Sequence, residues 1–207
     1  MTSCISPDDL HLAVQALLGG RLVVFPTETV YGVAALAQNE AAVRSLYQAK
    51  SRPDHLALPV MVASSDLIPT IARPRPGFWA LAERFWPGPL TIILPKTPAL
   101  PDIVTAGGDT VGLRIPDHPL ALELLRLVAA PLAVTSANRS GQPPARSATE
   151  ARTQLDGRVS LIVDGGPAPG GQPSTVIDLT TEPPRILRPG PITAAAIGDA
   201  FPLPGLP

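Results

Sequence analysis

Proline occupies 27 of the 207 positions. Each proline fixes φ near about −65° and removes a backbone donor, so a helix interior or a central strand cannot run through it. The chain must therefore fold from short regular elements cut by many turns. Apolar periodicity within those limits gives a consistent alternation. Ser6-Pro7-Asp8-Asp9 reads as a cap and acidic first turn for a helix carrying Leu10, Val14, Leu17 and Leu18, stopped by Gly19-Gly20. Further helices are expected over 40–49 (buried stripe Val43, Leu46 and Tyr47), 78–85 (Trp79, Ala82 and Phe85 on one side), 119–128 and 193–200. Another is expected over 148–155, behind a Ser147-x-x-Glu150 capping box. Strands are expected at 22–25, 58–62, 90–94, 110–115, 132–135, 160–163, 175–179 and 185–187.

Strands alternating with helices through short loops predict an α/β fold: one twisted, mixed, open sheet with helices packed on it. No repeat or linker divides the chain, so a single domain over 1–207 is expected, with its core at about 6–200 and a frayed Pro-rich tail at 202–207. The longest stretch without regular structure is 164–173, read either as a lid or as an exposed turn-rich excursion.

Sixteen basic residues against seventeen acidic leave a net charge of −1, which excludes a global field for a long nucleic acid but not a local basic cleft. Fourteen of the sixteen are arginines, the planar binders of carboxylate and phosphate; Lys50 and Lys96 are the only lysines. Cys4 is the sole cysteine, so no intrachain disulfide forms. There is no apolar run of membrane-spanning length and no basic-then-apolar leader, so the expectation is a cytoplasmic protein with no membrane partner.

Ligands of open α/β sheets sit beyond strand ends. Five polar segments fall there. Pro26-Thr27-Glu28-Thr29-Val30-Tyr31-Gly32 reads as a helix cap with Glu28 and Tyr31 solvated, or as a binding turn. Lys50-Ser51-Arg52 reads as cations complementing a helix C-terminus, or as a phosphate clamp. Arg114, inside the apolar strand Val111-Gly112-Leu113-Arg114-Ile115, needs an acidic partner or a ligand carboxylate. Thr135-Ser136-Ala137-Asn138-Arg139-Ser140-Gly141 reads as an Asx or Ser turn, or as a ligand loop. The fifth comprises Ser174-Thr175-Val176 and Leu187-Arg188-Pro189-Gly190. The sequence has no P-loop, dinucleotide fingerprint, nucleophile elbow or His/Cys cluster of metal spacing. On their own, these segments point to a small anionic ligand.

In order, the motifs PTETVYG (26–32), KSRP (50–53), WPGPLT (86–91), VGLRIPDHP (111–119), TSANRSG (135–141), STVID (174–178) and ILRPG (186–190) resemble the YrdC family, specifically its L-threonylcarbamoyl-AMP synthases. The resemblance spans most of the chain. It implies an α/β domain around a deep, positively charged cavity. The implied nucleotidyltransferase reaction joins L-threonine, bicarbonate and ATP, with Mg2+ accompanying the ATP, into threonylcarbamoyl-AMP and pyrophosphate. A separate transferase would then carry the group to adenosine 37 of tRNA, with at most weak tRNA binding by this chain.

Carried over by matching position, Lys50 and Arg52 grip the triphosphate and are the catalytic pair. Thr110, Ser136, Asn138 and Arg188 contact ATP, while Thr29, Tyr31, Arg114 and Ser174 hold threonine; no protein-ligated metal is implied. Met61 stands where many relatives have a histidine on the threonine side, and the chain looks like the short form without a further C-terminal domain. Two alternatives are an RNA-binding module of the same fold and a carbamoyl-adenylate-forming enzyme.

Overall fold

A computed structural model describes residues 1–201; the expected frayed tail at 202–207 lies outside the described residues. Among the described residues, ten strands form one sheet: β1 (Ser3–Ile5), β2 (Val23–Phe25), β3 (Gly32–Leu36), β4 (Val60–Met61), β5 (Leu90–Pro95), β6 (Thr110–Arg114), β7 (Leu132–Ser136), β8 (Leu161–Val163), β9 (Thr175–Asp178) and β10 (Arg185–Arg188). Their order is β1-β8-β2-β3-β7-β4-β6-β5-β9-β10. Parallel pairs (β1/β8, β2/β8, β4/β6, β5/β9) mix with antiparallel ones, so the sheet is mixed and open, as expected. The helices are α1 (Leu10–Leu18), α2 (Glu40–Lys50), α3 (Ile68–Ile71), α4 (Phe78–Phe85), α5 (Pro119–Val128), α6 (Ala148–Leu155) and α7 (Ala194–Ala200).

Local chemistry sets most boundaries. The Asn39 side chain accepts the Ala42 N–H at the start of α2, and Ser147 accepts the Glu150 N–H at the start of α6. Glu150 reaches back to the Arg146 N–H, one residue before the cap, at 2.7 Å. Three elements escape the sequence pattern. β1 and α3 are only three and four residues long. β3 begins at Gly32, directly behind a segment read as a turn or helix cap. In α4 the expected stripe is out of phase: Phe78, Leu81 and Ala82 are buried, whereas Trp79 is 45% exposed and its ring edge packs on Phe78.

The pleat divides the core into two faces. Val24, Val33, Ala35, Val60, Ile92, Leu113, Ala133 and Ile177 point to one face, where α2, α4 and α6 cover them. Val23, Phe25, Ala34, Leu132, Val134 and Val163 point to the other, under α1 and α5. Those two helices pack on one half of that face. Over its remaining half, formed by β4, β6, β5 and β9, the alternate residues Met61, Gly112, Arg114, Thr91, Ile93 and Val176 line a cavity. Among the described residues, no helix is long and apolar enough to cross a membrane.

Candidate active site

The cavity measures about 340 Å³, within the usual range for small-molecule sites. Its ionisable lining residues are Tyr31, Arg52, Arg114 and Arg188, and no carboxylate is among the described residues that line it. Each polar lining residue reaches it from one of the five segments flagged in the sequence or from β5.

The turn after β2 does not start a helix. Thr27 Oγ1 accepts the N–H groups of Thr29 and Val30, donates to Val30 O at 2.6 Å and lies 2.9 Å from Thr29 Oγ1. Hydroxyls that the capping reading would have spent on a helix instead fold the entry to β3 and present Thr29 to the cavity.

Arg114 has the acidic partner that one of its two readings required. Its guanidinium meets Glu28 Oε1 at 2.5 Å and Thr29 Oγ1 at 3.1 Å, and its Nε donates to Gly88 O. It is also a cavity residue. Glu28, read as solvated when taken alone, is instead the carboxylate that lets an arginine sit inside an apolar strand. Its second oxygen is buried without a partner among the described residues. The Trp86–Pro89 turn delivers Gly88 to this contact: a Cβ there would stand 2.3 Å from Phe85 O, so only glycine fits.

Arg188 donates from Nε and Nη2 to Ser174 O, and from Nη2 to Ser174 Oγ at 3.1 Å. No carboxylate lies within ion-pair distance of it among the described residues. Partial desolvation of its guanidinium, and behind it the charge of Arg114, lower its affinity for a proton. Ser174 Oγ also shares a hydrogen bond with Thr91 Oγ1 at 2.8 Å. Gly190 brings β10 against this corner: a Cβ there would lie 2.4 Å from Thr175 N.

Arg52 hangs from two carbonyls of its own loop, donating to Leu56 O (3.1 Å) and Ala57 O (2.9 Å). It too has no acidic partner among the described residues, and burial lowers its proton affinity. Ser136 ends β7 on the cavity wall. Tyr31 lines the wall as well, but its hydroxyl turns away and donates to Gly166 O at 2.6 Å; burial, then Asp164, push the phenol up to about 12. The 164–173 loop is thereby held down, since Gly170 N–H and Gly171 N–H also donate to Glu28 O and Thr29 O.

Three of the ten sequence candidates are not on the wall: Lys50, Asn138 and Thr110. Lys50 and Asn138 are buried behind it and bonded to one another. Thr110 opens β6, on the same pleat as Gly112 and Arg114 but at the far end of the strand. Met61 is on the wall, register-paired with Arg114. Thr91 and Thr135 also line the cavity; both lie in segments that the sequence singled out, 86–91 and 135–141, though neither was named as a site residue.

A family model described as Sua5/YciO/YrdC, telomere recombination, matches residues 15–190. The chain belongs to the Sua5/YciO/YrdC family. Relatives in that family include a protein named threonylcarbamoyl-AMP synthase from Pyrococcus abyssi, 44% identical over 87% of this chain and 54% of its own length. Another of that name, from Bacillus subtilis, is 45% identical over 95% of this chain and 58% of its own. The chain thus spans little more than half of these two relatives. The Sua5/YciO/YrdC fold is equally clear in three dimensions. The crystal structure of P. abyssi Sua5 complexed with L-threonine superposes with a TM-score of 0.94 at 39% identity, covering 98% of this chain and 61% of that one.

Proposed function

We propose that this chain is an L-threonylcarbamoyl-AMP synthase: it condenses L-threonine, bicarbonate and ATP to threonylcarbamoyl-AMP and pyrophosphate. The observation that carries the reading is a cavity lined by three arginines and no carboxylate among the described residues, with only Arg114 internally neutralised. Such a site suits several anions gathered at once. The Pyrococcus relative's complex with L-threonine, and the name threonylcarbamoyl-AMP synthase carried by the relatives, support threonine and an adenylate-donating nucleotide as the ligands.

The threonine ammonium loses protons and its nitrogen bonds to the bicarbonate carbon, giving a carbamate, water and a proton. A carbamate oxygen then attacks the α-phosphorus of ATP, and the bond to the bridging oxygen breaks, releasing pyrophosphate. No covalent enzyme intermediate is needed; positioning and charge stabilisation do the catalysis. Arg114, anchored through Nε and Nη2 by Gly88, Glu28 and Thr29, offers its remaining Nη1 donors to the threonine carboxylate. Thr29, Tyr31 and Ser174 complete that side. Arg52 and Arg188, without acidic partners among the described residues, face the nucleotide's phosphates, with Ser136, Asn138 and Thr110 shaping its seat. Magnesium enters as the counter-ion of the ATP substrate. The adenylate then passes to a separate threonylcarbamoyl transferase acting on tRNA.

Pyrophosphate release from ATP by the purified chain tests the reading. Release that requires both L-threonine and bicarbonate is the expected result; release indifferent to threonine, or none, would overturn it.

A further inference from the structure

Lys50 is 1% exposed and absent from the cavity wall. Its ammonium has three donors. They meet Ser136 O, Asn138 O at 2.6 Å and Asn138 Oδ1 at 3.4 Å. The contact is reciprocal: the Ser140 N–H donates to Lys50 O at 2.8 Å. Asn138 in turn ties the turn to itself, donating from Nδ2 to Arg139 O and Gln142 O. No donor of Lys50 is left for a phosphate while this turn stands. On the other side, α2 ends at Lys50; Ser51 adopts a left-handed φ of 51° and Arg52 follows on the cavity wall.

We propose that Lys50 is a positioning residue rather than a phosphate ligand: it locks the end of α2, which carries Arg52, to the 136–140 turn, which carries Ser136. This rests on the synthase reading only for the identity of the ligand. The lysine sets the distance between two groups that face the same phosphates. A buried carbonyl stripped of its donor costs free energy, so the turn has no cheap alternative arrangement. Below about pH 7, where the buried Lys50 keeps its proton, it supplies three N–H bonds from one atom to a cluster of oxygens, one more than a neutral amine or amide can give.

The test compares Lys50→Met, Lys50→Gln and Arg52→Ala with the wild-type chain in two measurements. The first is amide hydrogen exchange of the ligand-free proteins. Lys50→Met is expected to speed exchange at Ser140 about tenfold or more, Lys50→Gln, which keeps two donors, less so, and Arg52→Ala not at all. The second is the salt dependence of ATP binding. A lost phosphate contact lowers its slope; a displaced turn weakens binding at every salt concentration and keeps the slope. Arg52→Ala is expected to flatten the slope and the Lys50 variants to preserve it. A flattened slope in Lys50→Met with wild-type protection at Ser140 would overturn the proposal in favour of direct contact. If Lys50→Met does not fold, Lys50→Gln decides on the same two criteria. Should the wild-type chain bind no ATP, the synthase reading fails, and the exchange measurement still decides the role of Lys50.

Discussion

Arg114 and Arg188 face one cavity, but only Arg114 has a carboxylate against it; Arg188 rests on the neutral oxygens of Ser174. The two arginines therefore differ in what they can still attract. Arg114 is oriented and half neutralised, suited to a single carboxylate. Arg188, at the exposed end of β10, retains its full charge on the cavity wall, suited to a polyanion.

Replacing Glu28 by Gln should release that orientation. The threonine KM is expected to rise about tenfold while the ATP KM changes little, with a stability loss of about 2 kcal/mol from the weakened charged hydrogen bond. Steady-state kinetics with each substrate varied, alongside denaturant melts, check both; an equal rise in the two KM values would refute the assignment.

Arg188→Ala should act on the other substrate. An ATP KM raised roughly 10- to 100-fold, as for loss of a charged contact of about 1.5–3 kcal/mol, with a smaller effect on threonine, is the expected pattern. Isothermal titration with ATP alone reads it without turnover.

Gly190 and Gly141 provide a steric contrast. A Cβ on Gly190 meets the Thr175 and Ser174 backbone at 2.4 and 2.7 Å, whereas Gly141, at φ +82°, has open space around it. Gly190→Ala is expected to cost about 3 kcal/mol or more, because backbone cannot step aside. Gly141→Ala should cost about 1 kcal/mol, from its left-handed conformation alone. Thermal melts of the two variants rank them.

Stability should respond to pH through two buried groups. Burial, then Arg52, push the Lys50 ammonium down from 10.5 to about 7. Between those values the unfolded chain binds the proton that the folded chain has released, so stability rises with pH across that window. Tyr31 works in reverse. Its phenol is pushed from 10 up to about 12, so above pH 10 the unfolded chain ionises first and stability falls. Urea melts across pH 6–11 should show the rise and then the fall; Lys50→Met should remove the rise and keep the fall.

Most elements were legible because their signals are local. A cap such as Asn39 or Ser147, a stop at Gly19-Gly20 and an apolar stripe such as Val43, Leu46 and Tyr47 all lie within one or two helical turns. β3 was not, because Gly32 follows a hydroxyl-rich turn and only pairing with β2 and β7 makes 32–36 a strand. The phase of α4 differs from the apolar spacing because Phe78 and Leu81, not Trp79, fill the core space beneath it. At the site, the residue types and strand ends could be read off, but not the partners. Glu28 and Arg114 are 86 residues apart, as are Lys50 and Ser136, and nothing in either local sequence says that they meet.

The cavity floor is bare pleated sheet, and this affects how the chain can change. Along β5, Thr91 and Ile93 face the cavity while Leu90, Ile92 and Leu94 face the core; β6 and β9 repeat the arrangement. Affinity and foldability are thus interleaved at every second residue of the same strands rather than assigned to separate segments. Substitutions on the ligand-facing register can retune what is bound one position at a time, while the intervening residues keep the layer beneath them filled.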